Sequence, residues 1–156
     1  RYLFFPANPD RHEKRADRAR ELAAACEADL LTGGAIDPEA MPTWINAADA
    51  VLVTSDYEGF GMAAVEALAC DVPVLSTPVG IAPYLLAGVA GCLCAPFDIA
   101  AWAAAARPHV EAADPRVAGA DRAETLSAAR MAERVLAAYR DVTSTDRDGT
   151  PTPGID

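Results

Sequence analysis

Short apolar runs with no polar alternation recur along this chain, and they limit its possible folds more than any other feature. The clearest is Ala50-Val51-Leu52-Val53-Thr54, and a strand that is apolar on both faces must be covered on both sides. Similar runs at 2–5, 29–32, 73–76 and 92–94 alternate with Ala-rich segments of helical character. The pattern predicts an α/β fold, a parallel sheet with helices on both faces.

The composition is that of an ordinary globular domain, with 52% apolar and 23% charged residues in 156. A net charge of -10 argues against nucleic acid or an anionic membrane surface as a partner. No apolar run approaches the roughly 20 residues of a membrane-spanning helix. The four cysteines have no histidine nearby that would complete a metal site, so we interpret them as buried thiols in a reducing cytoplasm.

The two ends of the chain suggest a domain cut from a longer protein. The sequence begins directly on a strand-like run without an initiator methionine. Long helices are predicted from Asp98 to about Arg107 and over Asp121–Tyr139. After Arg140 the sequence is rich in Thr, Ser, Asp and Pro, with almost nothing to bury. We therefore expect one domain over 1–140 and a disordered tail over 141–156.

Two acids and a glycine turn lie where a predicted strand ends, in the stretch SDYEGFGMAAVEALACDVPVLSTPVG (Ser55–Gly80). Ligands of parallel sheets bind at the carboxyl ends of the strands. The turn Gly59-Phe60-Gly61 precedes a predicted helix, whose first N–H groups favour an anion. Glu58 and Glu66 would instead accept hydrogen bonds from hydroxyl groups. The alternative is that Glu58 only favours the helix start and Glu66 is a solvated surface acid.

Cations follow the first strand, in the segment RHEKR that contains Arg11 and Lys14. They could reach the same sheet edge and pair with a diphosphate, or they could form a charged helix start in solvent. Other phosphate motifs are absent, since the sequence has neither G-x-G-x-x-G after the first strand nor G-x-x-x-x-G-K-[ST]. This disfavours a nicotinamide-dependent dehydrogenase and a P-loop enzyme.

These residues resemble a known family. The segment EGFGMAAVEALACDVPVLSTPVG is similar to the E-x7-E region of retaining glycosyltransferases of family 4 (group 1), which have the GT-B fold. INAADAVLVTSDYEGFG resembles the segment before it, and FFPANPDRHEKRADRARELA resembles the first strand, loop and helix of the same domain. The resemblance covers about Arg1–Arg140. It implies one Rossmann-like half of a GT-B fold.

The resemblance also implies a role for each matching residue. Glu66 would bind the ribose of the donor nucleotide, and Glu58 would contact the donor sugar. Lys14 would bind the diphosphate, so Glu58 and Lys14 are the catalytic candidates. Arg11 is the candidate partner of Lys14, because Ala7-Asn8 hold the place of the family's arginine. The remaining expected donor contacts are the backbone of Gly59, Phe60, Gly61 and Met62 near sugar and phosphates, and Gly33 and Gly34 near the base.

The implied function is that of the donor-binding domain of a retaining hexosyltransferase that uses a UDP-, GDP- or ADP-linked sugar. Such an enzyme requires no metal, and its acceptor domain would precede Arg1. The fragment alone would then transfer no sugar. Two alternatives stay open, a nucleotide-sugar epimerase of the same fold and a non-enzymatic receiver-type module. The second needs a lysine after a late strand, whereas Lys14 is the only lysine in the sequence.

Overall fold

Five short parallel strands form one sheet in this computed structural model, which describes residues 1–145 of the 156. The strands are β1 (Tyr2–Phe5), β2 (Asp29–Thr32), β3 (Ala50–Val53), β4 (Val74–Ser76) and β5 (Leu93–Cys94). Their order across the sheet is β2-β1-β3-β4-β5, and each neighbouring pair is parallel. The predicted α/β class, with a parallel sheet flanked by helices, is confirmed.

Helices follow each strand in the described part of the chain. They are α1 (Ala16–Ala25), α2 (Met41–Asn46), α3 (Met62–Ala69), α4 (Ala82–Leu85), α5 (Ile99–Glu111), α6 (Ala120–Glu124) and α7 (Ala128–Thr145), with a 3-10 helix at His12–Lys14. The described part of the chain divides into two compact units, residues 1–123 and a second unit that begins at residue 124. The whole sheet lies in the first unit.

The strand order reverses direction between β1 and β3. The chain passes from β1 to β2 on one side and from β3 to β4 on the other. Because such crossovers are right-handed, α1 and α3 lie on opposite faces of the sheet. The carboxyl ends of β1 and β3 therefore flank a topological switch point, which is where open parallel sheets bind their ligands.

The main core lies between one face of the sheet and the helices α1 and α5 that cover it. Leu3, Phe5 and Leu52 of the strands pack there with Leu22 of α1 and Trp102 of α5. All of these side chains are at most 1% exposed, which fixes the strand ends against the helices and gives the loops that follow a rigid base.

The prediction of one continuous helix over Asp121–Tyr139 is wrong, because the structure has two helices there, α6 and α7. Within the second unit, the Ser127 hydroxyl accepts a hydrogen bond from Arg130 N at 3.3 Å, so Ser127 acts as the N-cap of α7. The chain before it turns at residues 125–127 instead of continuing α6. Helix α7 extends to Thr145, past the predicted boundary at residue 140. Residues 146–156 of the predicted tail lie outside the described residues.

Two other helices differ from the prediction at their ends. Asp37 as a plausible N-cap before Pro38 predicts a helix from there to about Ala48. Helix α2 instead begins at Met41 and ends at Asn46, because residues 38–40 form a turn. The helix predicted from Asp98 is present as α5, and Asp98 is its N-cap, because its carboxylate accepts a hydrogen bond from Ala101 N at 2.9 Å. It then continues through Pro108 to Glu111, four residues beyond Arg107.

Candidate functional site

Two loops meet at the switch point, and one of them carries Lys14. This loop leaves β1 and forms the 3-10 helix that ends at Lys14. Arg15 follows with φ of 55°, a left-handed conformation that needs support from its surroundings. The hydroxyl of Thr54 gives that support, since it lies 3.0 Å from the carbonyl oxygen of Lys14 and 2.9 Å from that of Arg15.

The second loop joins β3 to α3 and carries Glu58. It ends at Gly61, whose φ of 96° allows the sharp entry into α3 at Met62. The first N–H groups of an α-helix have no partner within the helix. The amino end of α3 therefore supplies backbone donors and partial positive charge beside Glu58.

Lys14 and Glu58 form an ion pair across the two loops. The Lys14 ammonium lies 2.7 Å from each carboxylate oxygen of Glu58, and the two side chains are 15% and 14% exposed. The Ser55 hydroxyl donates a third hydrogen bond to Glu58 Oε1, at 2.7 Å. The structure thus brings the two predicted catalytic candidates into direct contact.

A cavity of about 310 Å³ opens beside this ion pair at the carboxyl edge of the sheet. Six of the predicted site residues line it: Arg11, Lys14, Glu58, Gly61, Met62 and Glu66. Gly59, Phe60, Gly33 and Gly34 are not among its lining residues. An anion held by Lys14 and a hydroxylated group held by the acids would both fit here.

Glu66 faces this cavity from α3 and has no ionic or hydrogen-bonding partner among the described residues. The residue is exposed, although its helix neighbours Ala67 and Leu68 are fully buried. It also borders a second cavity of about 310 Å³ that is otherwise mostly apolar, with Met41 and Ile45 in its wall. Glu66 therefore lies between the cavity that contains the Lys14–Glu58 ion pair and a second cavity without charged residues other than Glu66 itself.

Arg11 lines the main cavity but pairs with a neighbour on its own loop. Its guanidinium forms an ion pair with Glu13, and its side chain is 61% exposed. Such an exposed pair contributes little to stability. The side chain is therefore free to exchange Glu13 for an anionic ligand.

Charged side chains outside the cavity tie the two loops together. Arg15 and Arg18 pair with Asp56 at 3.2 and 2.7 Å, and Asp56 N donates to the carbonyl of Glu13 at 2.8 Å. The hydrogen bond from Arg15, followed by that from Arg18, holds the pKa of the Asp56 carboxyl below its usual value. A more open groove of about 800 Å³ runs along this charged surface, but it includes neither Glu58 nor Glu66.

Gly33 and Gly34 lie against the loop that follows β1. A Cβ atom at Gly33 would come within 2.3 Å of the Pro6 carbonyl oxygen, and one at Gly34 within 2.9 Å of Asn8 Cα. Gly33 N also donates to the Phe5 carbonyl at 2.8 Å. These glycines therefore allow the chain after β2 to approach the mouth of the site closely.

Gly80 packs against the loop that carries Glu58, and its replacement is expected to destabilise the protein. Its φ is 53°, and a Cβ would meet the Phe60 carbonyl oxygen at 2.3 Å. We expect Gly80→Ala to lower the free energy of unfolding by about 2 kcal/mol, measured by urea denaturation. Gly88→Ala is the matched control, because φ is 74° there but no atom lies within 4 Å. Equal losses in the two variants would contradict the close packing of Gly80 on Phe60.

Sequence reasoning did not assign a role to three residues at this site. Ser55 and Met41 line the cavity, and Thr54 holds the loop of Lys14. The sequence did contain a signal for Thr54 and Ser55, since these two adjacent hydroxyl residues end a run of apolar strand residues. Met41 carried no such signal, because its position depends on where α2 begins.

The described residues show neither a metal cluster nor a membrane helix. Within residues 1–145, no group of three or more His, Cys, Asp or Glu side chains could hold a metal ion. None of the helices in this range is long and apolar enough to span a bilayer. The four cysteines are unpaired, but the prediction that all are buried is wrong: Cys26 is buried, whereas Cys70, Cys92 and Cys94 are partly exposed. Loss of solvation raises the pKa of each thiol, so all four are protonated at neutral pH.

Two solved glycosyltransferase structures contain the same architecture. A glycosyltransferase involved in avilamycin A biosynthesis superposes with a TM-score of 0.59 at 22% identity, covering 92% of this chain and 51% of the other. WaaG, a glycosyltransferase involved in lipopolysaccharide biosynthesis, gives a TM-score of 0.57 at 19% identity over 79% of this chain and 41% of its own. The five-stranded sheet and its helices thus match one half of a GT-B fold.

Sequence comparison leads to the same class of proteins. The chain is 34% identical to a D-inositol 3-phosphate glycosyltransferase of Mycolicibacterium paratuberculosis over 143 residues, which is 86% of this chain and 31% of the relative. It is 35% identical to a glycogen synthase of Mycobacterium tuberculosis over 86 residues, 54% of this chain and 20% of the relative. The chain thus spans less than a third of the length of these relatives. Residues 8–111, more than half of the chain, match the family described as glycosyl transferases group 1. The chain therefore belongs to the group 1 glycosyl transferases.

Proposed function

We propose that this chain is the donor-binding domain of a retaining glycosyltransferase that takes a hexose from a UDP-, GDP- or ADP-linked sugar. One observation carries the proposal. Lys14 and Glu58, which are 44 residues apart in the sequence, meet at the switch point, and Glu66 faces the same cavity. This arrangement offers a cation for a diphosphate and two carboxylates for hydroxyl groups, which is what a nucleoside diphosphate sugar requires.

Each side chain then has a distinct part in binding the donor. Lys14, with Arg11 and the amino end of α3, binds the diphosphate. Glu66 accepts hydrogen bonds from the ribose, and Glu58 contacts the sugar. The backbone of Gly59, Phe60, Gly61 and Met62 faces sugar and phosphates, with Gly33 and Gly34 near the base. Charge develops on the departing diphosphate in the transition state, so its stabilisation is the main catalytic contribution of this domain.

The domain works as part of a larger protein in this proposal. The donor-binding domain covers residues 1–140 in this proposal, with the candidate site wholly in the first compact unit. A further domain binds the acceptor, which is supported by the short coverage of the relatives. The unpaired, protonated thiols are compatible with a cytoplasmic location. No metal has a role in this scheme, so chelation with EDTA should leave sugar transfer unchanged.

Titration calorimetry of the 156-residue chain with UDP, GDP and ADP tests the binding site. We expect one of the three to bind with a Kd below about 1 mM. The matching nucleoside should bind at least about tenfold more weakly, since it lacks the groups that Lys14 contacts. The chain alone should transfer no sugar. If none of the three nucleotides binds, the proposed donor site is wrong.

Product analysis on the full-length natural protein tests the reaction. A retaining glycosyltransferase gives a glycosylated acceptor with the anomeric configuration of the donor. Conversion of the donor sugar to its epimer without any acceptor would instead identify a nucleotide-sugar epimerase. Sugar transfer by the 156-residue chain alone would contradict the need for a second domain.

A further inference from the structure

Four buried hydroxyl residues lie at the carboxyl ends of β3 and β4, and three of them form hydrogen bonds with the two loops of the candidate site or with each other. Thr54, Ser55 and Thr77 are 0%, 2% and 5% exposed. Buried hydroxyl groups nearly always have a hydrogen-bond partner, so their presence alone indicates nothing about function. Their partners are informative, because two of the three contact the segments that carry Lys14 and Glu58.

Thr54 determines where the Lys14 backbone lies. Its hydroxyl is within 3.0 Å of the carbonyl oxygens of both Lys14 and Arg15, at the end of the 3-10 helix. These two carbonyls flank the left-handed turn at Arg15. The contact ties the loop that carries Lys14 to the rigid end of a central strand, so the ammonium group approaches the cavity from a fixed point.

Ser55 determines where the Glu58 carboxylate lies. Its hydroxyl donates to Oε1, the oxygen that also accepts from Lys14, at 2.7 Å in both cases. Ser55 itself is held by Thr77, whose hydroxyl lies 2.6 Å from the Ser55 carbonyl oxygen. The carboxylate thus has one partner on a neighbouring loop and one partner anchored to the sheet.

A bound diphosphate would compete with Glu58 for Lys14 but not for Ser55, the other partner of Glu58. A diphosphate that takes the Lys14 ammonium competes with Glu58 for it. A carboxylate left without any partner in a largely buried position is strongly disfavoured. Ser55 is anchored to the sheet through Thr77 and does not depend on Lys14, so its hydrogen bond to Glu58 is available throughout such an exchange.

We propose that Thr54 and Ser55 are positioning residues of the donor site, with Thr54 holding Lys14 for the diphosphate and Ser55 holding Glu58 for the sugar. This inference rests on the function proposed above. It assigns each hydroxyl to a different part of the donor. The two substitutions should therefore have different consequences for ligands that contain or lack those parts.

Thr54→Val tests the first assignment, since valine keeps the shape and removes the hydroxyl. In the 156-residue chain we expect about a tenfold weaker binding of whichever of UDP, GDP or ADP binds the wild type. The corresponding monophosphate, which lacks the second phosphate, should lose less than about twofold. Thr54→Ser keeps the hydroxyl and should restore the affinity.

Ser55→Ala tests the second assignment with UDP-glucose, GDP-mannose and ADP-glucose. We expect the matching nucleotide sugar to bind about tenfold more weakly, while the free diphosphate changes less than about twofold. Ser55→Thr retains a hydroxyl and should recover most of the loss. Equal losses for all ligands, or no loss in either variant, would overturn the proposal.

A measurement without nucleotide separates this inference from the proposed function. Lys14 is the only lysine of the chain, so reductive methylation with ¹³C-formaldehyde gives one lysine NMR signal beside that of the amino terminus. Thr54→Val and Ser55→Ala should each shift this signal, and Thr54→Ser should return it toward the wild-type position. Unshifted signals would refute the positioning role. If the variants shift the signal but the wild type binds no nucleotide, only the proposed function is refuted. If Thr54→Val does not fold, the shift of the lysine signal in Ser55→Ala tests the positioning role instead.

Discussion

Replacement of Glu66 by alanine is expected to weaken nucleotide binding about 100-fold and to leave the stability of the fold unchanged. In the proposed site Glu66 accepts hydrogen bonds from the two ribose hydroxyls, and bonds to a charged group contribute roughly 1.5 kcal/mol or more each. Their joint loss of about 3 kcal/mol corresponds to about two orders of magnitude in Kd. Titration calorimetry with the nucleotide that binds the wild type measures this change.

Stability should not respond to the same substitution. Glu66 is exposed and has no ion pair or hydrogen bond among the described residues, so its removal should change the free energy of unfolding by less than about 0.5 kcal/mol. Glu21→Ala is the matched control, because Glu21 is also an exposed glutamate on a helix but lies on α1. It should alter neither binding nor stability.

A 2′-deoxynucleotide shows whether Glu66 acts through the ribose. The wild type should bind the 2′-deoxy form about tenfold more weakly than the ribonucleotide, because one hydrogen bond is missing. The Glu66→Ala variant should bind the two forms almost equally. If the variant still distinguishes them as the wild type does, Glu66 does not bind the ribose.

The sequence alone was sufficient to predict the sheet edge on which these residues lie. The unbroken apolar run 50–54 and the glycine turn before Met62 marked a strand end and a helix start, and both are present as β3 and α3. Parallel strands place such ends at one edge, so Glu58, Glu66 and the loop after β1 could be assigned to one site.

The contact between Lys14 and Glu58 could not be predicted from the residues themselves. The two lie 44 positions apart, and their meeting depends on which strands become neighbours and on how two loops fold over the sheet edge. The break between α6 and α7 was missed for a different reason. Ser127 lies between Leu126 and Ala129, where the apolar spacing favours a continuous helix, and only its capping hydrogen bond shows the interruption.

Replacement of Lys14 by methionine is expected to affect stability and binding together. Glu58 would keep only Ser55 as a partner, although its side chain is just 14% exposed. A largely buried carboxylate that loses its cation is costly, and we expect the free energy of unfolding to fall by about 2 kcal/mol in urea denaturation. Binding of the nucleoside diphosphate should fall at least about 100-fold, because the cation that contacts the diphosphate is lost.

The double variant Lys14→Met/Glu58→Gln separates these two effects. Glutamine has nearly the shape of glutamate without its charge, so no unpaired carboxylate remains and most of the lost stability should return. Diphosphate affinity should not return, since neither residue then offers a cation. Glu58→Gln alone leaves Lys14 without its counter-charge, and it should bind the diphosphate at least as tightly as the wild type, because the competing carboxylate is gone. Recovery of binding in the double variant would mean that Lys14 acts only as the structural partner of Glu58 and that another group holds the diphosphate.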